Sequence, residues 1–110
     1  MVEVNFKQDD DGLWRGFHVS GHAGHSVKGE DIVCAGISAV TQTAVLGLKS
    51  YLSVQRLSLS KKSGFLNCII HDSKDAEVSE VQAILQSAYL GLKAMEESYA
   101  GYLTVEIRRN

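Results

Sequence analysis

Val2-Glu3-Val4-Asn5-Phe6-Lys7-Gln8-Asp9-Asp10-Asp11-Gly12-Leu13-Trp14-Arg15-Gly16-Phe17-His18-Val19-Ser20 reads as two strands around a tight turn. Val2, Val4 and Phe6 alternate with Glu3, Asn5 and Lys7, the two-residue period of a half-buried strand. Asp9-Asp10-Asp11-Gly12 supplies the turn chemistry, and Gly12 tolerates a positive φ. In the returning run Leu13, Arg15, Phe17 and Val19 share one face, while Trp14, Gly16, His18 and Ser20 share the other. Arg15 aside, the first set is the expected core face, which leaves Trp14 on the outside. A hairpin here predicts antiparallel pairing.

Beyond it, periodicity is lost from Gly21 to Asp31, where Gly21, Gly24 and Gly29 accompany His22, His25, Ser26 and Lys28; this reads as a mobile surface loop. Val33, Ile37, Val40, Ala44, Leu48 and Leu52 then recur at helical steps, with Asp31 as the expected N-cap. Leu57 and Leu59 open a second hairpin, Lys61-Lys62-Ser63-Gly64 turns it, and Leu66, Cys68 and Ile70 share one face of the return. A second helix carries Val78, Val81, Leu85, Ala88, Leu92, Met95 and Tyr99 as its core stripe, and Gly101 stops it. Leu103, Val105 and Ile107 alternate in a last strand. The expected fold is α+β in ββαββαβ order, a mostly antiparallel sheet with two helices packed on one face. Trp14, Phe65 and Ile69 on the other face suggest self-association.

The 110 residues make one domain, 1–110, and 45% hydrophobic with 22% charged residues is ordinary globular usage. A net charge of −2 disfavours a nucleic-acid binder. Neither a secretory leader nor a membrane span is expected, since the opening lacks leader character and the apolar stretches read as short of the ~18 residues of a span. Two cysteines, Cys34 and Cys68, make no disulfide framework, so a reduced, cytoplasmic protein is expected. With no proline, the turns rest on Gly, Asp, Asn and Ser.

Chemistry concentrates between Gly21 and Ser38. Behind an Asp31 cap, Cys34 would be the third helical residue, where unpaired N–H groups favour a thiolate and could meet an oxyanion. His22 could fold back onto the sulfur to activate it. Ser38 and Thr41 extend a small polar seam along the helix. Asp31 could cap the helix or orient His22. Two other readings stay open on these residues: Cys34 as inert packing, or His22, His25, Asp31 and Cys34 as a zinc site. Cys68 on an apolar strand face reads as core, and His18 and His71 as solvated. Gly36 either is merely tolerated or makes room for a substrate backbone, at roughly 1 kcal/mol of helix propensity.

Gly21-His22-Ala23 and Gly29-Glu30-Asp31-Ile32-Val33-Cys34-Ala35 resemble the motifs of the ribosomal-processing cysteine protease family, Prp, and the resemblance covers essentially the whole chain. Gly36 departs from it, since alanine is more usual there. The resemblance implies a cytoplasmic, homodimeric cysteine endopeptidase. Its substrate would be the N-terminal extension of large-subunit ribosomal protein twenty-seven, cut after a hydrophobic, aromatic-rich segment. His22 and Cys34 would be the catalytic dyad and Asp31 an orienting or capping residue, with Gly21, Ala23, Gly24, Gly29 and Ser38 around the substrate. It implies no metal, no organic cofactor, no membrane and no direct nucleic-acid contact. The competing functions are a non-catalytic ribosome-associated module, touching RNA through Lys61, Lys62, Arg108 and Arg109, and a zinc-binding structural protein.

Overall fold

A computed structural model describes residues 1–21 and 28–109, the side chains at 28–31 and 54 excepted. Among the described residues the order is β1 (Val2–Gln8), β2 (Trp14–Ser20), α1 (Lys28–Tyr51), a 3-10 turn (Val54–Arg56), β3 (Leu57–Lys62), β4 (Phe65–Ile70), α2 (Ser73–Ala76), α3 (Ser79–Ser98) and β5 (Leu103–Arg109). The sheet runs β3-β4-β2-β1-β5. Three of its pairings are antiparallel, and β5 alone joins β1 in parallel. The expected α+β class holds.

The stripes expected from sequence form one core. Val4, Phe6, Phe17, Leu66, Cys68 and Val105 of the sheet meet Val33, Ile37 and Leu48 of α1 and Val81, Leu85 and Leu92 of α3. Each such side chain contributes roughly 1.5–3 kcal/mol of burial. Three details depart from expectation. The second helix is divided: Asp72 caps the single turn α2 by accepting from Lys74 N at 2.8 Å, and α3 starts afresh at Ser79. Lys61 and Lys62 belong to β3, so the turn is only Ser63-Gly64. Tyr99 caps α3 and is exposed rather than core.

Trp14 is the larger correction. Lys7 faces Gly16 and Gln8 faces Trp14, so Arg15 is an extra residue, a β-bulge that reverses the alternation of β2. Trp14 therefore turns inward and is 8% exposed. Its ring centroid lies 5.8 Å from that of Phe6 and 5.1 Å from that of Tyr89. Arg15 spans outward, its Nε donating to Ile70 O at 3.0 Å and its Nη2 to His71 O. Glycine is required next to it: Gly16 sits at φ +150°, and a Cβ there would lie 2.0 Å from Cys68 O. The outer sheet face thus keeps Phe65 and Ile69 but not Trp14.

Against the expectation that the apolar stretches fall short of a membrane span, the Ile32–Tyr51 part of α1 is long and apolar enough to cross one by length and composition. Its Val33, Ile37, Ala44 and Leu48 are spent on the core, as in the central helix of a globular domain.

Candidate active site

Helix α1 begins at Lys28, three residues before the expected Asp31 cap. Lys28 and Glu30 are good helix-forming residue types, and propagating a helix adds one hydrogen bond per residue fixed. Gly29 and Asp31 consequently lie in the first turn, and Asp31 is not the N-cap. Cys34 is the seventh helical residue, so its amide joins the i→i−4 ladder instead of standing free. The free amides of the helix start lie a turn earlier than expected. His22, Ala23, Gly24 and His25 lie outside the described residues.

Cys34 is half-buried and lines a cleft of about 290 Å³. One wall is α1, with Ser38, Thr41 and Gln42 following Cys34; the facing wall is residues 61–66, the tip of the β3–β4 hairpin. Gly21 closes one end, its N–H donating to Gly64 O at 3.0 Å. It is held at φ +99°, and a Cβ there would come 2.6 Å from Met1 O. That junction, open only to glycine, ties the end of β2 to the hairpin tip. Along the helical wall Thr41 donates to Ile37 O at 2.8 Å and Gln42 Nε2 donates to Ser38 Oγ at 2.8 Å.

Cys68 has the opposite environment. It is fully buried in the central part of β4, and burial pushes its thiol from an ordinary value near 9.0 up to about 11, with Lys49 acting weakly the other way. The expectation of a core cysteine holds. Gly36 faces α3: a Cβ there would approach Met95 Cε to 2.8 Å, so its small size serves helix packing. Among the described residues no three of His, Cys, Asp and Glu gather as a metal site.

Cys34, Ser38 and Gly21 line the same cleft. The hairpin wall was not anticipated, because nothing local in Lys61 to Leu66 says which helix they face. Gln42 was legible in principle, lying one turn beyond Ser38 on the same helical face.

The family described as cysteine protease Prp matches residues 1–104. The chain belongs to that family. It is 33% identical over 102 residues to the ribosomal processing cysteine protease Prp of Staphylococcus aureus strain NCTC 8325, covering 90% of this chain and 92% of the relative. The Bacillus subtilis protein of the same name is 25% identical over 107 residues, 96% of each chain. Two solved structures of the Staphylococcus aureus protease superpose closely. The one with a covalently linked product peptide gives a TM-score of 0.83 at 29% identity, and covers 98% of this chain and 100% of that one. The one with a substrate peptide gives 0.84 at 28%, with the same coverage. The chain is therefore a cysteine peptidase, and the family displaces both the non-catalytic ribosome-binding reading and the zinc reading.

Proposed function

We propose that this peptidase removes the N-terminal extension of large-subunit ribosomal protein twenty-seven, cutting after a hydrophobic, aromatic-rich segment, with Cys34 as nucleophile and His22 as its acid–base partner. The observation that carries the assignment of Cys34 is the contrast between the two cysteines: Cys34 opens into a cleft, and Cys68 is sealed in the sheet. The substrate class is supported by the ribosomal-processing relatives and by the substrate peptide bound in the Staphylococcus aureus protease. His22 directly follows Gly21, which lines the cleft, and so is within a residue of it along the chain.

Chemically, His22 takes the thiol proton to give a thiolate–imidazolium pair. The Cys34 sulfur attacks the scissile carbonyl carbon, an S–C bond forms, and the carbonyl π pair moves onto oxygen. Collapse breaks the C–N bond as His22 gives its proton to the leaving amine. Water, deprotonated by His22, then attacks the thioester and releases a carboxylic acid and the thiol. Asp31 has no capping role left and is assigned to orienting His22. Gly21, Ala23, Gly24 and Gly29 let the backbone approach substrate, and Ser38 borders the sulfur. Neither metal nor organic cofactor takes part, and the enzyme acts in the cytoplasm as a homodimer without touching membrane or nucleic acid.

The test is cleavage of a synthetic peptide spanning the extension and junction, read by mass, with wild type, Cys34→Ala and His22→Ala each checked for folding. A single cut after the aromatic segment, lost in both variants and indifferent to chelator, is expected. A cut that persists in Cys34→Ala would remove the assignment.

A further inference from the structure

We infer that Gln42 is a positioning residue that makes the Ser38 hydroxyl a hydrogen-bond donor to the scissile carbonyl oxygen. The inference rests on the peptidase reading with Cys34 as nucleophile. Ser38 follows Cys34 by one turn, so both side chains leave α1 on one face, and both line the cleft.

A hydroxyl has one hydrogen to give and two lone pairs to receive with. In helices Ser and Thr commonly spend that hydrogen on a carbonyl three or four residues back. The other described Ser and Thr hydroxyls of α1 do so: Thr41 bonds Ile37 O at 2.8 Å, Thr43 bonds Ala39 O at 2.6 Å, and Ser50 bonds Gly47 O at 2.6 Å. Ser38 is the exception. Its Oγ accepts from Gln42 Nε2 at 2.8 Å, and among the described residues nothing accepts its hydrogen. Were Gln42 absent, the hydroxyl could fall back on the carbonyl of Cys34, its own i−4 residue.

Attack by the Cys34 sulfur puts developing negative charge on the carbonyl oxygen, and a donor aimed at that charge acts where catalysis gains most. The Cys34 amide is committed to the helical ladder and is not free to be that donor. Ser38 is one turn away with its hydrogen free. No proton is transferred in this contact: the hydroxyl keeps its hydrogen while the sulfur–carbon bond forms and the π pair moves to oxygen. Gln42 touches neither the sulfur nor the carbonyl and acts through Ser38.

Glutamate at 42 is the informative change. It has the shape of glutamine, but its carboxylate only accepts, and so draws the Ser38 hydrogen toward itself and away from the cleft. The experiment measures kcat and KM on the junction peptide for wild type, Cys34→Ala, Ser38→Ala, Gln42→Glu, Gln42→Ala and the Ser38→Ala/Gln42→Glu double variant. Gln42 is exposed on α1, so the variants keep the fold, verified by thermal melts. Expected is a loss of kcat of about a hundredfold for both Ser38→Ala and Gln42→Glu, with KM nearly unchanged. Gln42→Ala loses less, and the double variant is no worse than Ser38→Ala. Gln42→Glu at the wild-type kcat, or losses that multiply in the double variant, would overturn the donor role while the peptidase reading stands. No cleavage by wild type would bring down both.

Discussion

The side-chain amide of Gln82 holds both backbone groups of Trp14: Oε1 accepts from Trp14 N at 2.7 Å, and Nε2 donates to Trp14 O at 2.7 Å. The same Nε2 reaches Ala76 O at 2.7 Å. Beside the β2 bulge a helix side chain thus stands in for a neighbouring strand, and the inward turn of Trp14 leaves no backbone group orphaned. Gln82→Ala strips partners from three part-buried backbone atoms and is expected to cost about 2–4 kcal/mol. Gln82→Glu, which cannot donate to the two carbonyls, should cost more than its near-isosteric size suggests. Denaturant melts of both variants check this; a Gln82→Ala midpoint equal to that of wild type would contradict the strand-substitute role.

Gly16→Ala places a methyl on the Cys68 carbonyl, against backbone that cannot rotate away. A destabilisation of about 3–5 kcal/mol is expected, read as a lowered unfolding midpoint. Gly12 is the control, since it too has positive φ, +82°, but a Cβ there meets nothing within 4 Å. Gly12→Ala should cost distinctly less.

The two cysteines should separate cleanly under alkylation. In folded protein at neutral pH iodoacetamide labels Cys34 and spares Cys68, whose thiol is buried and stays protonated far above neutrality. Cys34→Ala protein should take up no label until it is unfolded, which peptide mapping by mass would show. The raised Cys68 pKa also has a stability consequence. Between about 9.0 and about 11 the unfolded chain ionises this thiol and the folded one does not. Its contribution is complete below 9.0 and is lost as pH rises through that window. A Cys68→Ala variant, although less stable throughout, should show a flatter alkaline decline than wild type.

On the opposite edge of the sheet, Val105 N donates to Glu96 Oε2 at 2.7 Å and Val105 O accepts from Lys93 Nζ at 2.9 Å. Lys93 and Glu96 are themselves 2.7 Å apart. The pair occupies backbone sites that a foreign strand would otherwise use. The Lys93 ammonium and then the Val105 amide hold the Glu96 carboxyl below its ordinary range, so the latch is complete above the usual carboxylate pKa and loosens as acid protonates Glu96. Amide exchange at Val105 should accelerate roughly fivefold to tenfold in Glu96→Ala, the equivalent of about 1 kcal/mol. Unchanged exchange at Val105 would show that the latch adds nothing to the strand.

Sequence alone determined the class of the fold and the cysteine to examine. Hydrophobic period is a local property, so the strands, the stripes of α1 and α3 and the core position of Cys68 could be read residue by residue. The motif around Cys34 was legible for the same reason, being one contiguous segment. Tertiary structure decided what depends on pairing between distant segments. Strict alternation sent Trp14 outward because a bulge has no signature in one strand: it exists only as Arg15 unmatched against Lys7 and Gln8. The start of α1 departs from expectation because Asp31 is a competent cap wherever a helix happens to begin, while continued propagation carries the helix back to Lys28. The cleft itself belongs to the same class. Its facing wall is a hairpin tip some thirty residues downstream of Cys34, brought there by the order β3-β4-β2 in the sheet, and strand order is set by packing of the whole core rather than by any one segment.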